Sequence, residues 1–340
     1  MAAGMNNRAI RLAHGGGGRY TQQLIEDVLL PILGNPVLDP LDDSAVFPMP
    51  GARLAFTTDS FVVHPIFFPG GDIGRLAVCG TVNDLAAVGA KPVFLSLGLI
   101  LEEGFSMDDL KRIALSVKST ADEAGVRIAA GDTKVVEKGH CDQLFINTAG
   151  IGVFDGTHPV SGSGAKPGDR ILVNGSLGRH GMAIVTARTE LGFSDRILSD
   201  AAPLGLLVET VLKSVPEVHA MRDATRGGLA AVLNEIAGRS GVGMELDEET
   251  LPLDEDVRGA CELLGFDPLY VANEGVMVFF IPENRAGDAL SAMKTSPYGR
   301  SATAIGRVTA DSEGRVVLKT RLGSRRIVDM PSGEQLPRIC

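Results

Sequence analysis

Five aspartates stand where predicted strands or helices begin or end, which are the places where a folded chain gathers polar groups: Asp43, Asp59, Asp84, Asp132 and Asp223. Carboxylate oxygens are hard ligands, and Mg²⁺ commonly takes one or two of them together with the phosphates of a substrate. One such aspartate alone is more often a helix cap or a solvated turn residue. Five of them beside glycine-rich breaks favour a site for a magnesium–nucleotide complex, although spacing alone does not establish that they converge.

Two of these aspartates have informative neighbours. Asp84 follows Asn83 in a segment of alanine, leucine and valine, where an unpaired carboxylate is expensive to bury and a metal ion would be a suitable partner. Asp223 opens the segment Asp-Ala-Thr-Arg-Gly-Gly, which also contains Arg226, able to grip phosphate through two N–H groups, and Gly227 at a predicted helix N-terminus. Together the two segments predict a site for phosphate and its metal ion.

A run of four glycines, Gly15, Gly16, Gly17 and Gly18, follows His14 near the start of the chain. Such a run is either a slack linker, which is the commoner case, or a loop that closes over a ligand with bare backbone N–H groups. The sequence contains no Gly-x-x-x-x-Gly-Lys-[Ser/Thr] and no intact Gly-x-Gly-x-x-Gly after a strand. Any nucleotide must therefore be held by something other than the two commonest phosphate-binding loops.

The last ten residues, Pro331 to Cys340, place a thiol at the end of an arm. Ten extended residues span about 33 Å, so this thiol could enter a site on the body of the protein or reach a partner. Chain ends are usually disordered and carry no chemistry, which is the competing interpretation. A sulfur atom is a good nucleophile and a good leaving group, so Cys340 is a candidate carrier of a transferable group.

Composition excludes several classes of protein. A net charge of −10 argues against a nucleic-acid partner, and no stretch of about 20 apolar residues predicts a membrane span. The four cysteines form no Cys-x-x-Cys pair, which makes a zinc site or a disulfide scaffold improbable. With no apolar core of signal-peptide length at its start, the chain is predicted to be cytoplasmic with reduced thiols.

Strands and helices are predicted to alternate along the chain. In the first half a helix over residues 71–89 precedes a strand over 92–101, and a strand over 126–130 runs into Gly131-Asp132-Thr133-Lys134-Val135-Val136-Glu137. The glycine- and proline-rich segment over 161–168 is the best boundary. We therefore expect an N-terminal domain over 1–160, a C-terminal α/β domain over 165–322, and a flexible tail over 323–340 that carries the terminal cysteine.

Seven segments occur together and in order along essentially the whole chain: His14-Gly-Gly-Gly-Gly, Asp42-Asp43-Ser44-Ala45, Thr57-Thr58-Asp59, Asn83-Asp84-Leu85-Ala86, Gly131-Asp132-Thr133-Lys134-Val135-Val136, Asp223-Ala224-Thr225-Arg226-Gly227-Gly228 and Pro337-Arg338-Ile339-Cys340. In this combination the chain resembles the hydrogenase maturation factors of the HypE family. The acidic and glycine segments are shared with aminoimidazole ribonucleotide synthetase, selenophosphate synthetase and thiamine monophosphate kinase. The Pro-Arg-Ile-Cys ending is what separates the HypE family from those relatives.

The resemblance implies a two-domain α/β fold with mixed sheets, of the aminoimidazole ribonucleotide synthetase type, that dimerises through the sheet of its first domain. It implies ATP and Mg²⁺ as cofactors. It also implies a reaction: a carbamoyl group delivered by HypF to the terminal cysteine is dehydrated to a thiocyanate, and the cyano group passes to iron held by HypC and HypD. The product is a cyanide ligand of [NiFe]-hydrogenase.

The resemblance also assigns roles to residues. Asp43, Asp84 and Asp223 are the expected metal ligands, and Cys340 is the expected carrier. A base is needed to remove the N–H protons, and the candidates are Lys134, Glu137 and Glu274, although Lys134 could equally stabilise charge or pair with a surface acid. The expected nucleotide-binding residues are Gly15, Gly16, Gly17, Gly18, Asp59, Asn83, Asp132, Thr225, Arg226, Gly227 and Gly228.

Two alternative functions stay open from the sequence. The chain could be a kinase or synthetase of the same superfamily that acts on a soluble substrate, in which case Cys340 would be dispensable. The absence of a cysteine before Cys79 argues against selenophosphate synthetase, which carries its reactive residue near the N-terminal glycines. From another class, the chain could be a nucleotide-dependent scaffold whose tail only docks on a partner, and then no modified cysteine would form.

Overall fold

The computed structural model describes residues 18–33, 36, 39–49, 52–154, 159–189, 196–311, 314–333 and 336–340. Gly15, Gly16 and Gly17, predicted to bind the nucleotide, lie outside these residues. The described chain contains a five-stranded and a seven-stranded mixed sheet, each packed against helices, together with a small two-stranded sheet. None of the helices described is long and apolar enough to cross a membrane.

The N-terminal half builds the five-stranded sheet. Its elements are α1 (Arg19–Leu24), a π-helical turn (Ile25–Leu29), α2 (Leu30–Leu33), β1 (Ala45–Met49), β2 (Ala52–Phe61), β3 (Phe67–Phe68), β4 (Gly71–Asp72), α3 (Ile73–Ala87), β5 (Lys91–Glu102), α4 (Met107–Ala124), β6 (Arg127–Val136) and β7 (Leu144–Val153). The strand order is β1-β2-β7-β5-β6, with only β5 and β6 parallel among these neighbours. Burial alternates along β7, as expected for a sheet covered on one face.

Helices α3 and α4 cover that buried face. The Asp72 carboxylate accepts hydrogen bonds from the N–H groups of Gly74 and Arg75, at 2.8 and 3.0 Å, and so caps α3. Ser106 caps α4 by accepting from the N–H of Asp109 at 3.3 Å. The opposite face of the sheet is open in a single chain.

That open face is apolar. Phe56, Ile151 and Phe94 are neighbours across β2, β7 and β5, and each is about two-fifths exposed, at 42%, 39% and 42%. Ile100, further along β5, is 41% exposed. Rows of large apolar side chains of this kind commonly mark a surface that another protein covers.

The C-terminal half builds the seven-stranded sheet. Its elements are β8 (Asp169–Val173), α5 (Arg179–Ala187), α6 (Gly205–Ser214), β9 (Ala220–Asp223), α7 (Gly228–Ser240), β10 (Gly243–Asp247), α8 (Glu255–Leu264), β11 (Met277–Pro282), α9 (Ala286–Lys294), β12 (Thr303–Thr309), β13 (Val316–Lys319) and β14 (Arg325–Ile327), with short 3-10 turns at Glu248–Thr250, Pro268–Tyr270, Glu283–Arg285 and Pro297–Gly299. The order is β14-β13-β10-β12-β8-β11-β9. Strand β11, the neighbour of edge strand β9, is buried on both faces, so its run of apolar residues is continuous rather than alternating.

One predicted boundary is wrong in a way that affects function. The strand expected to end at Ala130 continues to Val136, with Asp132 opposite Gly98 and Lys134 opposite Ile100 on β5. The residues from Gly131 to Val136, predicted to follow the strand, are therefore the second half of an edge strand. Every side chain of β6 except that of Val136 is exposed.

Candidate active site

Four of the predicted aspartates converge on one cavity of about 270 Å³. They reach it from different elements: Asp43 immediately before β1, Asp59 in β2, Asp84 in α3 and Asp223 at the end of β9. Glu274 and Cys340 line the same cavity. We call this space the acidic cavity, and the structure brings these six residues together around it.

Local packing brings Asp59 and Asp84 together. Helix α3 approaches β2 at Gly80, where a Cβ atom would lie 2.9 Å from Cζ of Phe61, so a larger residue would push the helix away. The Thr57 hydroxyl donates a hydrogen bond to Oδ2 of Asp84 at 2.9 Å. The approach of the helix to the strand thus sets the positions of both carboxyl groups.

The acids of the cavity hold their protons more tightly than usual. Burial and then repulsion from Asp43 raise the pKa of Asp223 to about 8, and attraction to Arg222 offsets only part of this rise. Burial also raises the pKa of Asp43 to about 6. The pKa values of Asp84 and Glu274 lie well above their ordinary values, again through burial first and then repulsion from Asp223 and Asp59.

Two arginines balance part of this negative charge. Arg222 forms ion pairs with Asp43 and Glu235, at 2.8 and 2.9 Å. Arg226 interacts most strongly with the negative charge of Cys340, and this attraction raises the pKa of the guanidinium. Arg222 therefore pairs with acids alone, whereas Arg226 is attracted both to the chain end and to Asp59, Glu274 and Asp84.

The residues of the acidic cavity fit a magnesium ion by their chemistry. Among the described residues, no three histidine, cysteine, aspartate or glutamate side chains are already arranged as a ligand shell. Repulsion among Asp43, Asp84 and Asp223 nevertheless shows uncompensated negative charge at one place, which a divalent cation would relieve. Since Mg²⁺ usually shares its ligands between carboxylates and substrate phosphates, an incomplete set of protein ligands is what such a site requires.

A second cavity of about 740 Å³ adjoins the first, and Arg222, Thr225, Arg226 and Glu235 line both. Gly18 forms part of its wall, and so do residues of α1 and α7. Helix α7 contributes Asn234, Glu235, Gly238 and Arg239 to that wall, whereas Gly227 and Gly228 at the start of the helix line neither cavity. The larger cavity has room for the body of a nucleotide whose phosphates point toward the acids.

Packing and backbone conformation also require glycine at positions near this cavity. Gly18 has φ 79°, and a Cβ on it would lie 2.4 Å from the carbonyl oxygen of Pro331. Gly227 and Gly228 have φ values of 77° and 62°, and a Cβ on Gly228 would lie 2.6 Å from the carbonyl oxygen of Leu269. Close approach and left-handed backbone both require glycine here, independently of any ligand.

The end of the chain runs antiparallel to residues 62–64 without forming a regular strand. The N–H of Val62 donates to the carbonyl of Cys340 at 3.1 Å, and the N–H of His64 donates to the carbonyl of Arg338 at 3.2 Å. Ile339 between them is 4% exposed and packs in the core of the N-terminal half. This pairing delivers Cys340 to the acidic cavity.

Half-buried Asp200 and buried Asn83, both near Glu274, hydrogen-bond to the backbone. Asp200 accepts hydrogen bonds from the N–H groups of Glu274 and Gly275, at 3.2 and 3.1 Å, and fixes the turn. Asn83 was predicted to bind the nucleotide, but its amide donates to the carbonyls of Ala202 and Glu274 and accepts from the N–H of Leu204. Its observed contacts therefore join the two halves of the chain.

Three predicted residues lie elsewhere in the single chain. Asp132, Lys134 and Glu137 are exposed on β6 or just after it, and none of them lines the acidic cavity. The ammonium group of Lys134 lies 2.7 Å from Oδ2 of Asp132, which is the surface ion pair left open as an alternative. They reach such a cavity only if a second chain supplies them.

The free energy of unfolding of the ligand-free protein is expected to receive a contribution from Asp223 that falls as the pH rises. A carboxyl group whose pKa is raised on folding contributes fully below its unfolded value, about 4, and loses the contribution through its folded value of about 8. Asp223→Asn should therefore be more stable than the unchanged protein at about pH 8, by at least about 1 kcal/mol. Chemical denaturation at several pH values measures the difference, and a difference independent of pH would contradict it.

Comparison with known proteins identifies the class first. Residues 41–154 match the family described as AIR synthase related protein, N-terminal domain, and residues 166–319 match its C-terminal domain. The fold is thus that of the AIR synthase-related proteins.

Closer relatives define the family within that class. The chain is 51% identical over 336 residues to the carbamoyl dehydratase HypE of Azotobacter vinelandii, covering 99% of this chain and 98% of that protein. It matches the HypE chain of a HypE–HypF complex with a TM-score of 0.86 and 49% identity, over 91% of this chain and 99% of that one. It matches HypE in complex with ATP with a TM-score of 0.82 and 48% identity, over 96% of this chain and 98% of that one. The chain belongs to the HypE family of carbamoyl dehydratases.

Proposed function

We propose that this chain is an ATP-dependent carbamoyl dehydratase that converts an S-carbamoyl group on its own Cys340 into S-cyanide for the iron of [NiFe]-hydrogenase. The observation that carries the proposal is that the Cys340 tail ends in the same cavity as Asp43, Asp84, Asp223 and Glu274. A carrier thiol and a set of metal-binding acids have no structural reason to share one small space. A reaction on the thiol would explain why the thiol and the acids lie together.

The reaction removes one oxygen and two hydrogens from the carbamoyl group. The amide oxygen is a poor leaving group, and the bound magnesium–nucleotide supplies a phosphoryl group that makes it a good one. As the C–O bond breaks and phosphate leaves, both N–H protons are lost and the C–N bond becomes triple. The sum is thiocarbamate plus ATP giving thiocyanate, ADP and phosphate, with the oxygen of the amide retained in phosphate.

The residues of the cavity have distinct parts in this scheme. Asp43, Asp84 and Asp223 would hold Mg²⁺, and Arg226 would neutralise negative charge on the phosphoryl group. Glu274 lines the cavity and is the proposed base, and Arg226 opposes the rise of its pKa. Thr225, Gly227 and Gly228, with Gly18 and Asp59, would border the nucleotide; Gly15, Gly16 and Gly17 are proposed with them from the sequence.

A homodimer explains the residues that lie outside the cavity. Asp132 and Lys134 stand on the same open face of the sheet as Ile100, because Lys134 is its partner across β5 and β6. A second copy that covered the apolar row of Phe56 and Phe94 would carry its own Lys134 with it. We therefore propose that Asp132, Lys134 and Glu137 act at the cavity of the partner copy.

Mixing two inactive variants tests this arrangement. Lys134→Ala and Cys340→Ser chains, each inactive alone, should regain about a quarter of the normal activity when mixed and allowed to exchange, because each mixed dimer has one intact site. Each variant incubated alone is the control. Recovery of no activity in verified mixed dimers would place Lys134 at the cavity of its own chain or at neither.

The proposed partners follow from the group that is carried. A carbamoyltransferase of the HypF type loads Cys340, and a HypC–HypD iron complex receives the cyano group. The HypE relative solved with HypF supports the first of these partners. We place the reaction in the cytoplasm, because the four cysteines are all free and the carrier must be a reduced thiol.

Intact mass with peptide mapping tests the function directly. The protein is incubated with carbamoyl phosphate, ATP, Mg²⁺ and the HypF-type partner. A carbamoyl adduct on Cys340 that loses the mass of one water in an ATP-dependent step is the expected result. Steady ATP consumption with an unmodified tail would indicate a related kinase or synthetase, and tail docking with neither change would indicate a scaffold.

A further inference from the structure

We propose that Arg188 and His180 are positioning residues that clamp the docked tail and thereby commit Cys340 to the acidic cavity. His180 lies in α5, and Arg188 immediately follows this helix. The inference rests on the proposed function, because the dehydration of carbamoyl-Cys340 is the step that the clamp serves. Its geometry is independent of that function and is tested separately.

His180 joins the tail to the protein interior. It is fully buried, with Nε2 2.7 Å from the carbonyl oxygen of Ile339 and Nδ1 2.8 Å from Oγ of Ser199. A carbonyl only accepts, so Nε2 carries the proton and Nδ1 accepts from the Ser199 hydroxyl. Departure of the tail would leave a donor without its partner in an apolar setting that includes the edge contact with Phe68.

Arg188 joins the tail to the segment with which it pairs. Its guanidinium donates to the carbonyls of His64, Pro337 and Arg338, at 2.7, 2.8 and 2.6 Å. Arg338 has φ 53°, and this left-handed conformation turns its own carbonyl and the preceding one toward the same side. One planar guanidinium can therefore hold two consecutive tail carbonyls in a fixed geometry, which the flexible ammonium group of a lysine would not impose.

The other side of the tail is held by its own arginine. Arg338 donates to the carbonyl of Val62 at 3.0 Å and forms an ion pair with Asp142. The clamped carbonyls belong to residues 337–339, and the thiol is on the next residue. Fixing these carbonyls therefore fixes the position of Cys340 more tightly than a two-bond strand pairing would.

The clamp favours dehydration and opposes loading and delivery. Dehydration requires the tail inside the cavity, whereas loading by another protein and delivery to another protein require the tail to be reachable. Contacts made only by the docked tail favour the first step at the expense of the other two. Weakening the clamp should therefore slow dehydration without slowing loading.

Arg188→Gln is the first test, with Arg179→Gln as the matched control. Arg179 lies on the same helix but pairs with Asp254 and does not hold the tail. In Arg188→Gln, dehydration of carbamoyl-Cys340 should slow by about tenfold or more, the effect expected from losing a charge-assisted hydrogen bond, while loading stays equal or becomes faster. Dehydration at the normal rate in Arg188→Gln, or an equal loss in Arg179→Gln, would overturn the clamp.

Thiol accessibility tests the clamp without any enzymatic reaction. In a Cys141→Ser background, the rate at which Cys340 reacts with an aromatic disulfide reagent should rise in Arg188→Gln and in Asp142→Asn, and stay unchanged in Arg179→Gln. Peptide mapping separates Cys340 from the buried Cys79 and Cys261. Unchanged reactivity in both clamp variants would overturn the proposal even if dehydration were confirmed, and increased reactivity would support the clamp even if the reaction proved to be another one.

Discussion

Cys340→Ala is expected to abolish formation of the cyano group while leaving the free energy of unfolding and the oligomeric state unchanged. The thiol is the atom that receives the carbamoyl group and later releases cyanide, and no other group in the acidic cavity can do both. Cys340 is half-buried at the end of the chain, so its loss leaves little unfilled space. Mass spectrometry of the tail, denaturant titration and size-exclusion chromatography measure the three quantities.

The control for this variant is Cys141→Ala, which removes another half-buried thiol outside the cavity. It should retain normal conversion of carbamoyl-Cys340. Unfolding or dissociation of Cys340→Ala would argue that the tail has a structural role, and residual cyano product would exclude Cys340 as the carrier.

Asp84→Asn is expected to lower ATP turnover by about 100- to 1000-fold, the usual cost of removing one preorganised charge from a transition-state site. The free energy of unfolding should stay the same or rise near pH 8, because burial and repulsion from Asp223 make the carboxylate form of Asp84 unfavourable in the empty cavity. An amide of the same shape keeps a hydrogen-bond acceptor for Thr57. ATPase rates and denaturant titration of the same preparation measure both effects.

Asp169→Asn is a matched control for a buried aspartate outside the cavity. Asp169 is 2% exposed and lies 2.8 Å from Nδ1 of His219, so its carboxylate has a partner in the fold. This variant should lose stability and keep its turnover. If Asp84→Asn instead lost stability and turnover in equal measure, the role of Asp84 would be structural.

Much of the site could be predicted because its acids are marked locally. Asp43, Asp84 and Asp223 each stand in a short segment whose composition is unusual for a solvated loop, and alternating strands and helices bring such segments to one place. The same reasoning predicted a nucleotide contact for Asn83. The side chain of Asn83 instead forms hydrogen bonds with backbone groups that join the two halves of the chain. An apolar neighbourhood requires a partner for a polar group, but it does not indicate which partner.

The residues that hold the tail could not be found in this way. His180 and Arg188 act on main-chain carbonyls about 150 positions further along the chain, at Ile339, Pro337 and Arg338. A carbonyl is present at every residue, so nothing in the sequence distinguishes the ones that are bound. The length of β6 was missed for a related reason, since its exposed side chains lack the alternation that marks a half-buried strand.

Strand β6 also affects how readily a newly made chain aggregates. It is the last strand of its sheet, and its outer edge has no neighbouring strand in the described part of the protein, while Ile128 and Val135 on it are exposed. Exposed edges with apolar side chains template unwanted pairing and aggregation. A chain made at high concentration would therefore be at risk of precipitation through this edge.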